Sequence, residues 1–331
     1  MSILSWNGRG AGSTETVQEL QEIRRKYFPD FLFLMETKQK LSYMEGLKKD
    51  LGYDDLVTVE PEGLSGGLAV MWKKNFKVEI LVCDKRIVDC KVGMGSLSFF
   101  LTCVYGDPVV ARRRVVWDRL MVLAVTRDEA WVLVGDFNEL LNNEEKSGGA
   151  VRVESSFWDF WHMTSSCKLR ELRSFGNSLS WAGWRDRVWV QCRLDRSFGN
   201  DEWYNLFPRS QVEYMDMLSS DHRPIKVCFS YEPENVRRGR FFFDRRMLGK
   251  DGIEEAVRRG WAGGGSDVGV DLMERISNCR KELARWKKSS GANSQDRIVI
   301  IKSSLQSEIA RHAPDAERMR FLKRELSVAY R

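Results

Sequence analysis

Eight short apolar runs recur between residues 3 and 230, and they constrain the fold more than any other feature of this chain. They are "ILSW", "DFLFLME", "GGLAVMW", "KVEILVC", "LSFFLTCVY", "AWVLVGDF", "RVWVQCRLD" and "RPIKVCFS". Runs of this length, rich in Val, Leu, Phe and Trp and bounded by turn formers, read as strands. Helical patterns lie between them. In "TETVQELQEIRRKYF", Val17, Leu20, Ile23 and Tyr27 share one face, and Thr14 or Thr16 is placed to cap it. "RRRVVWDRLMVLAV" and "VESSFWDFWHMTSS" have the same periodicity. Strands and helices are mixed but do not alternate strictly, so two packed sheets with helices outside fit better than one doubly wound sheet.

An apolar fraction of 43% over 331 residues excludes wholesale disorder and allows one large domain or two modest ones. The net charge of +6 suits a polyanionic partner without requiring one. Seven cysteines include no C-x-x-C pair, and several sit inside strand-like runs as small core residues. This argues against a zinc site or disulfide scaffold and for a reducing compartment, nuclear or cytoplasmic, rather than secretion. No apolar run is long enough to span a bilayer. The opening "MSILSWNGRG" lacks the basic leader and apolar core of a signal peptide.

After Tyr231 the character changes. "RRGRFFFDRRMLG" is basic and aromatic, and "GWAGGGSD" breaks regular structure. Three helical patterns follow: Val270, Met273, Ile276, Leu283 and Trp286; Ile298, Ile301, Leu305 and Ile309; Met319, Leu322, Leu326 and Tyr330. The expected organisation is a domain over 1–230, a basic, Gly-rich linker over 231–266, and a helical segment over 267–331.

Polar residues at the ends of the strand-like runs carry the chemistry. Asn7 ends the first run and Glu36 the second, and Tyr105 with Asp107 follows "FFLTCVY". Asp136 and Asn138 end "WVLVGDFN", Asp195 ends "VWVQCRLD", and Asp221 with His222 precedes the last run. Each alone is an ordinary cap or turn residue. Together they are harder to dismiss, because a carboxylate at the end of a buried strand is costly unless a cation or partner receives it. Carboxylates and an amide oxygen are hard ligands that suit Mg²⁺. A carboxylate can orient or deprotonate water, and a histidine held by an aspartate can carry charge toward a phosphate oxygen. The chain has no G-x-S-x-G elbow and no Walker-type phosphate loop, which leaves water, metal and phosphoester chemistry.

In order, "SWNGRG", "METK", "VYGDP", "GDFN", "LSW", "CRLDR" and "SDHRPI" resemble the endonuclease/exonuclease/phosphatase superfamily. Within it, "FLFLMETK", "GDFNELLNNEEKSGG" and "CRLDRSFGNDEWYNLFP" look most like the apurinic-endonuclease-like endonuclease domain of plant LINE-type (non-LTR) retrotransposons. The resemblance covers roughly residues 1–230. It implies a DNase I-like four-layer α/β sandwich, two mixed sheets flanked by helices, here with a C-terminal helical appendage. The tail resembles the connector toward a reverse transcriptase, so the chain looks like a detached endonuclease portion.

The same resemblance implies roles. Glu36 is the expected principal metal ligand, with Asn7 beside it and Asp221 near the metal. Asp136 positions and activates the attacking water, Asn138 and Tyr105 contact the phosphate, and Asp195 holds His222. Ser180 in "LSW" contacts the substrate strand. Arg9 stands where apurinic endonucleases often carry an acid, and an arginine there is expected to repel a second metal ion or to contact a backbone phosphate instead. The implied activity is Mg²⁺-dependent nicking of DNA, with Mn²⁺ able to substitute, leaving 3′-hydroxyl and 5′-phosphate ends. The alternatives are a phosphatase acting on a phosphorylated small molecule or lipid, and a non-catalytic nucleic-acid-binding remnant. Nothing in the sequence points to an obligate protein partner.

Overall fold

A computed structural model of the chain describes residues 1–63, 65–229, 248–262, 272–289 and 294–330. The chain begins with β1 (Ser2–Asn7), α1 (Thr14–Tyr27), β2 (Phe31–Met35) and α2 (Leu41–Leu51). Five strands follow: β3 (Asp55–Val59), β4 (Leu68–Trp72), β5 (Lys77–Cys83), β6 (Ile87–Met94) and β7 (Leu97–Tyr105). Next come α3 (Val110–Ala124), β8 (Trp131–Asp136), the short β9 (Lys146–Ser147) and α4 (Trp158–Ser166). The last strands are β10 (Arg170–Glu171), β11 (Arg173–Phe175), β12 (Trp181–Arg185), β13 (Val188–Cys192) and β14 (Asp195–Gly199), then, beyond α5 (Asp201–Leu206), β15 (Gln211–Tyr214) and β16 (Ile225–Cys228).

Two mixed sheets carry the domain. One has the order β11-β15-β16-β1-β2-β4-β3 and the other β10-β14-β8-β7-β6-β5, with a small sheet β12-β13-β9 beside them. Strand alternation explains the layering. In β2, Phe31, Phe33 and Met35 face the other sheet, while Leu32 and Leu34 face α1 and α2. In β7, Phe99, Leu101 and Cys103 point inward, while Phe100 and Val104 pack with α3 and α4. Strands buried on both faces are continuous apolar runs, as the sequence shows. The result is the expected four-layer sandwich. Among the described residues, no helix is long and apolar enough to cross a membrane.

Two local details differ from the sequence reading. The cap of α1 is Ser13, whose hydroxyl accepts from Thr16 N–H at 3.1 Å, so neither Thr14 nor Thr16 fills that place. Within the span read as a linker lies α6 (Ile253–Ala262), whose Ile253 and Ala256 pack on Leu283 and Trp286 of α7 (Leu272–Ser289). The basic, aromatic stretch "RRGRFFFDRR" lies outside the described residues. The three expected tail helices are α7, α8 (Ser294–Ile309) and α9 (Ala316–Tyr330).

Residues 1–231 and 305–319 form one compact unit; residues 232–304 and 320–331 form the other. In the first unit, Gln306 accepts from buried Arg223 at 2.6 Å and donates to Met217 O at 2.9 Å. Trp189 Nε1 donates to Ile309 O at 3.1 Å. The end of α8 is therefore built into this unit through side chains that flank the His222 loop. Gln306→Ala should destabilise it by about 1–3 kcal/mol, because a buried guanidinium loses an acceptor. Urea unfolding of the two proteins checks this, and equal midpoints would refute it.

Candidate active site

The sheet pairing brings the polar strand ends to one place. β1 and β2 run parallel with Asn7 opposite Met35, so Asn7 lies beside Glu36, the next residue. β7 and β8 run parallel with Tyr105 opposite Asp136, and antiparallel β14 starts with Asp195 opposite Asp136. His222 enters just before β16, the antiparallel neighbour of β1. Two glycines permit the approach. A Cβ on Gly135 would lie 1.8 Å from Val104 O, and one on Gly67 would lie 2.3 Å from Thr37 Oγ1. Arg9, Glu36, Lys38 and Asn138 all adopt positive φ, four of the eight non-glycine residues that do so among those described. Such backbone costs free energy and collects where function holds it in place.

At the floor, His222 Nδ1 lies 2.9 Å from Asp195 Oδ2, and its Nε2 lies 3.7 Å from Asp136 Oδ2. All three residues are buried. Asp195 Oδ1 has no hydrogen-bond partner, so its charge is uncompensated except by the imidazole. Burial opposes charging His222, but the attraction of Asp195 and then Asp136 outweighs it and raises its pKa well above the ordinary value. Burial raises the Asp136 carboxyl, which the His222 charge opposes and Asp195 reinforces. Both shifts run upward, so a charged imidazole lies beside a carboxyl that holds its proton more tightly than usual.

The frame around the loop fixes His222. Ser220 Oγ donates to Asn7 O at 2.7 Å and accepts from His222 N–H, and Trp6 Nε1 donates to His222 O at 3.1 Å. Ser180 is fully buried, and its hydroxyl accepts from the N–H groups of Leu194 and Asp195 at 3.0 and 2.8 Å. The expected contact of Ser180 with a substrate strand is thus corrected: burial takes its hydroxyl out of reach, and it props Asp195.

Glu36 sits at the mouth, partly exposed. Its Oε1 accepts from Asn7 Nδ2 at 3.1 Å and from the Tyr105 hydroxyl at 3.0 Å. Asn7 Nδ2 also donates to Asp136 Oδ2 at 3.0 Å, across the two sheets. Arg9 stands between Glu36 Oε2, at 3.9 Å, and Asp221, with which it pairs closely. Asp221 also accepts from Trp181 Nε1 at 3.1 Å. Asn138 donates its backbone N–H to Asp136 Oδ1 and its Nδ2 to Gly106 O, both at 2.9 Å. Lys38, which sequence reasoning passed over, lies 3.5 Å from Glu36 Oε2. Its place in "METK" was the available signal. Trp181, Ser220 and Trp6 were also missed, since their roles arise from long-range hydrogen bonds.

The donor set fits a hard divalent cation. Glu36 offers a carboxylate at the mouth, and the amide of buried Asn7, whose Nδ2 donates to both, lies between the Glu36 and Asp136 carboxylates while its Oδ1 accepts from Arg9 N–H at 3.3 Å. Ligand-capable atoms of Asp136, Asp195 and His222 also fall within 4.8 Å of one another. There, however, a cation would have to shed its water entirely and displace the His222–Asp195 bond, which Mg²⁺ resists.

This fold and this strand-end cluster of carboxylates, amide and Asp-held histidine define a phosphoesterase. Residues 4–222 match the Endonuclease/Exonuclease/phosphatase family, and the chain belongs to it. It is thus a hydrolase from a superfamily of metal-dependent enzymes. No curated protein matches it in sequence. Among solved structures it is similar to a 3′-5′ exonuclease, NExo, from Neisseria meningitidis (TM-score 0.53, 15% identity, 70% of this chain and 100% of that one). It is also similar to the endonuclease domain of TRAS1, a telomere-specific non-LTR retrotransposon (TM-score 0.50, 14% identity, 68% and 96%). An AP endonuclease from Archaeoglobus fulgidus is a third (TM-score 0.52, 16% identity, 70% and 100%). At these identities the likeness is one of fold.

The raised pKa of His222 sets a pH dependence. A protonated His222 is present at neutral pH and is lost only as pH rises through its elevated folded value, so hydrolysis should fall on the alkaline side. Asp195→Asn removes the strongest attraction and should move that limb to lower pH. His222→Ala should cost on the order of a hundredfold in rate. Single-turnover rates against pH for the three proteins check this; an unchanged rate in His222→Ala would reduce the loop to a structural turn.

Proposed function

We propose that the chain is a Mg²⁺-dependent DNA endonuclease of LINE-type retroelement origin, with Mn²⁺ able to substitute. Glu36 and Asn7 would hold the cation, with Asp221 at its margin. The bound cation would supply charge neutralisation at the phosphate. Asp136 orients the attacking water and takes its proton, within a site where Asn138 N–H and Asn7 Nδ2 fix the carboxylate. His222, kept charged by Asp195, offsets charge building on the phosphate oxygens. Tyr105 steadies Glu36 through its one hydroxyl proton and would turn that proton to the phosphate when substrate binds. In-line departure of the 3′-oxygen then gives 3′-hydroxyl and 5′-phosphate ends.

The observation that carries this reading is the Asp195–His222–Asp136 relay meeting the Glu36–Asn7 pair, through one amide that bridges the two sheets. The setting suits an extended polyanion. Beside Trp181, the β12–β13 hairpin presents Arg185, Arg187 and Trp184 to solvent, and Arg9 is half exposed at the mouth. A phosphatase pocket would call for clustered lysines, and Lys38 is the one lysine paired with the site's carboxylates among the described residues.

Supercoiled plasmid nicking tests the proposal. The wild-type protein should convert plasmid to open circle with Mg²⁺ and stop in excess EDTA. Glu36→Gln should lose nearly all activity while melting like the parent, since it removes charge and little volume. Full nicking by that variant, or in EDTA, would sink the assignment. An inert but folded wild type would favour a non-catalytic remnant.

A further inference from the structure

A second basic cleft lies away from the active site. It has a volume of about 630 Å³, and its walls include Arg173, Phe175, Tyr204, Arg209, Ser210 and Gln211. β11 is the edge strand of the larger sheet, and its parallel pairing with β15 puts Arg173 opposite Gln211 and Phe175 opposite Glu213. Gln211 in turn pairs with Cys228, at the end of β16 farther from His222. The strand Ile225–Cys228 alone sets the two ends on the order of 10 Å apart, and no residue of the His222 cluster lines the cleft. The cleft and the catalytic cluster are therefore distinct sites.

Charge pairing in this region is selective. Arg170 pairs with Asp201, and Arg193 and Arg196 both pair with Glu145 and Glu171. Glu213 is taken by Lys226. Arg173 and Arg209, both exposed, have no carboxylate partner among the described residues. Two uncompensated guanidinium groups thus line one concave surface. Guanidinium presents several N–H donors in a plane and suits phosphate oxygens better than any other side chain.

The remaining wall groups favour more than a bare anion. Phe175 is half exposed on the edge strand, offering an aromatic face for stacking. Ser210 accepts from Trp203 Nε1 at 3.0 Å, which leaves its own hydroxyl proton to donate. The Gln211 amide can both donate and accept. Cations beside an open aromatic ring and a mixed donor–acceptor amide form the pattern by which proteins hold unpaired nucleotides.

We propose that this cleft binds a nucleoside phosphate, with Arg173 and Arg209 on the phosphate and Phe175 stacked on the base. The chemistry is shared by a free mononucleotide and by one unit of a single strand. The inference does not depend on the hydrolytic mechanism.

Calorimetric titration of the full chain in EDTA, with AMP and separately with a dT12 single strand, tests it. Arg173→Ala combined with Arg209→Ala should weaken binding about tenfold or more, and Phe175→Ala several-fold. These residues are exposed, so thermal melting should stay at the parental value. Loss for dT12 alone identifies a strand as the occupant; loss for AMP alone identifies a free nucleotide; either supports the cleft. Unchanged affinity for both ligands in the double variant would overturn the proposal. So would inorganic phosphate binding as tightly as AMP with no effect of Phe175→Ala. Because EDTA silences hydrolysis, failure here leaves the nuclease reading standing, and failed nicking leaves the cleft standing.

Discussion

A charged imidazole buried between two carboxylates is the interaction around which this domain is organised. His222, Asp195 and Asp136 come from three separate chain segments and are all buried. None could be left there alone, since an isolated buried charge costs several kcal/mol. Each is tolerable because the others are present. The supports follow from that need: Ser180 holds the start of β14, Ser220 and Trp6 hold the His222 loop, and Asn7 ties Asp136 to the opposite sheet.

The same logic continues toward solvent with a different balance. Glu36 and Asp221 are partly exposed, and Arg9 stands between them. The guanidinium offsets the repulsion between those two carboxylates. The same pairing explains why Arg9 is charged more firmly than a free arginine: Asp221 beside it raises its pKa, more than burial lowers it.

The rest of the sandwich supplies rigidity at the strand ends. Both faces of β2, β7 and β8 are buried, so their registers are pinned by packing on two sides. A slip of one residue would turn Phe33 or Leu101 out of the inner core and carry Glu36 or Tyr105 away from the site. Precision in the catalytic cluster is therefore a consequence of apolar packing several residues away. The cost appears as left-handed backbone at Arg9, Glu36, Lys38 and Asn138, just where the strands stop.

Much of this was legible in the sequence. Apolar runs announced the strands, and a polar residue at the end of run after run announced the site, because burial makes such residues expensive without a shared purpose. The order of short motifs added the family. Other features were decided only by the tertiary structure. Ser180 reads as a substrate contact in one dimension, yet the β12–β13 and β14 segments close over it and turn it into a prop. Lys38, Trp181 and Gln306 look like ordinary surface or core residues until the fold brings their partners within reach. The arginines at 173 and 209 are two among many in a basic chain; only the pairing of their neighbours sets them apart. Sequence records which groups a chain owns. Folding decides which charges are neutralised and which are left facing a cleft, because that depends on distances between segments far apart along the chain.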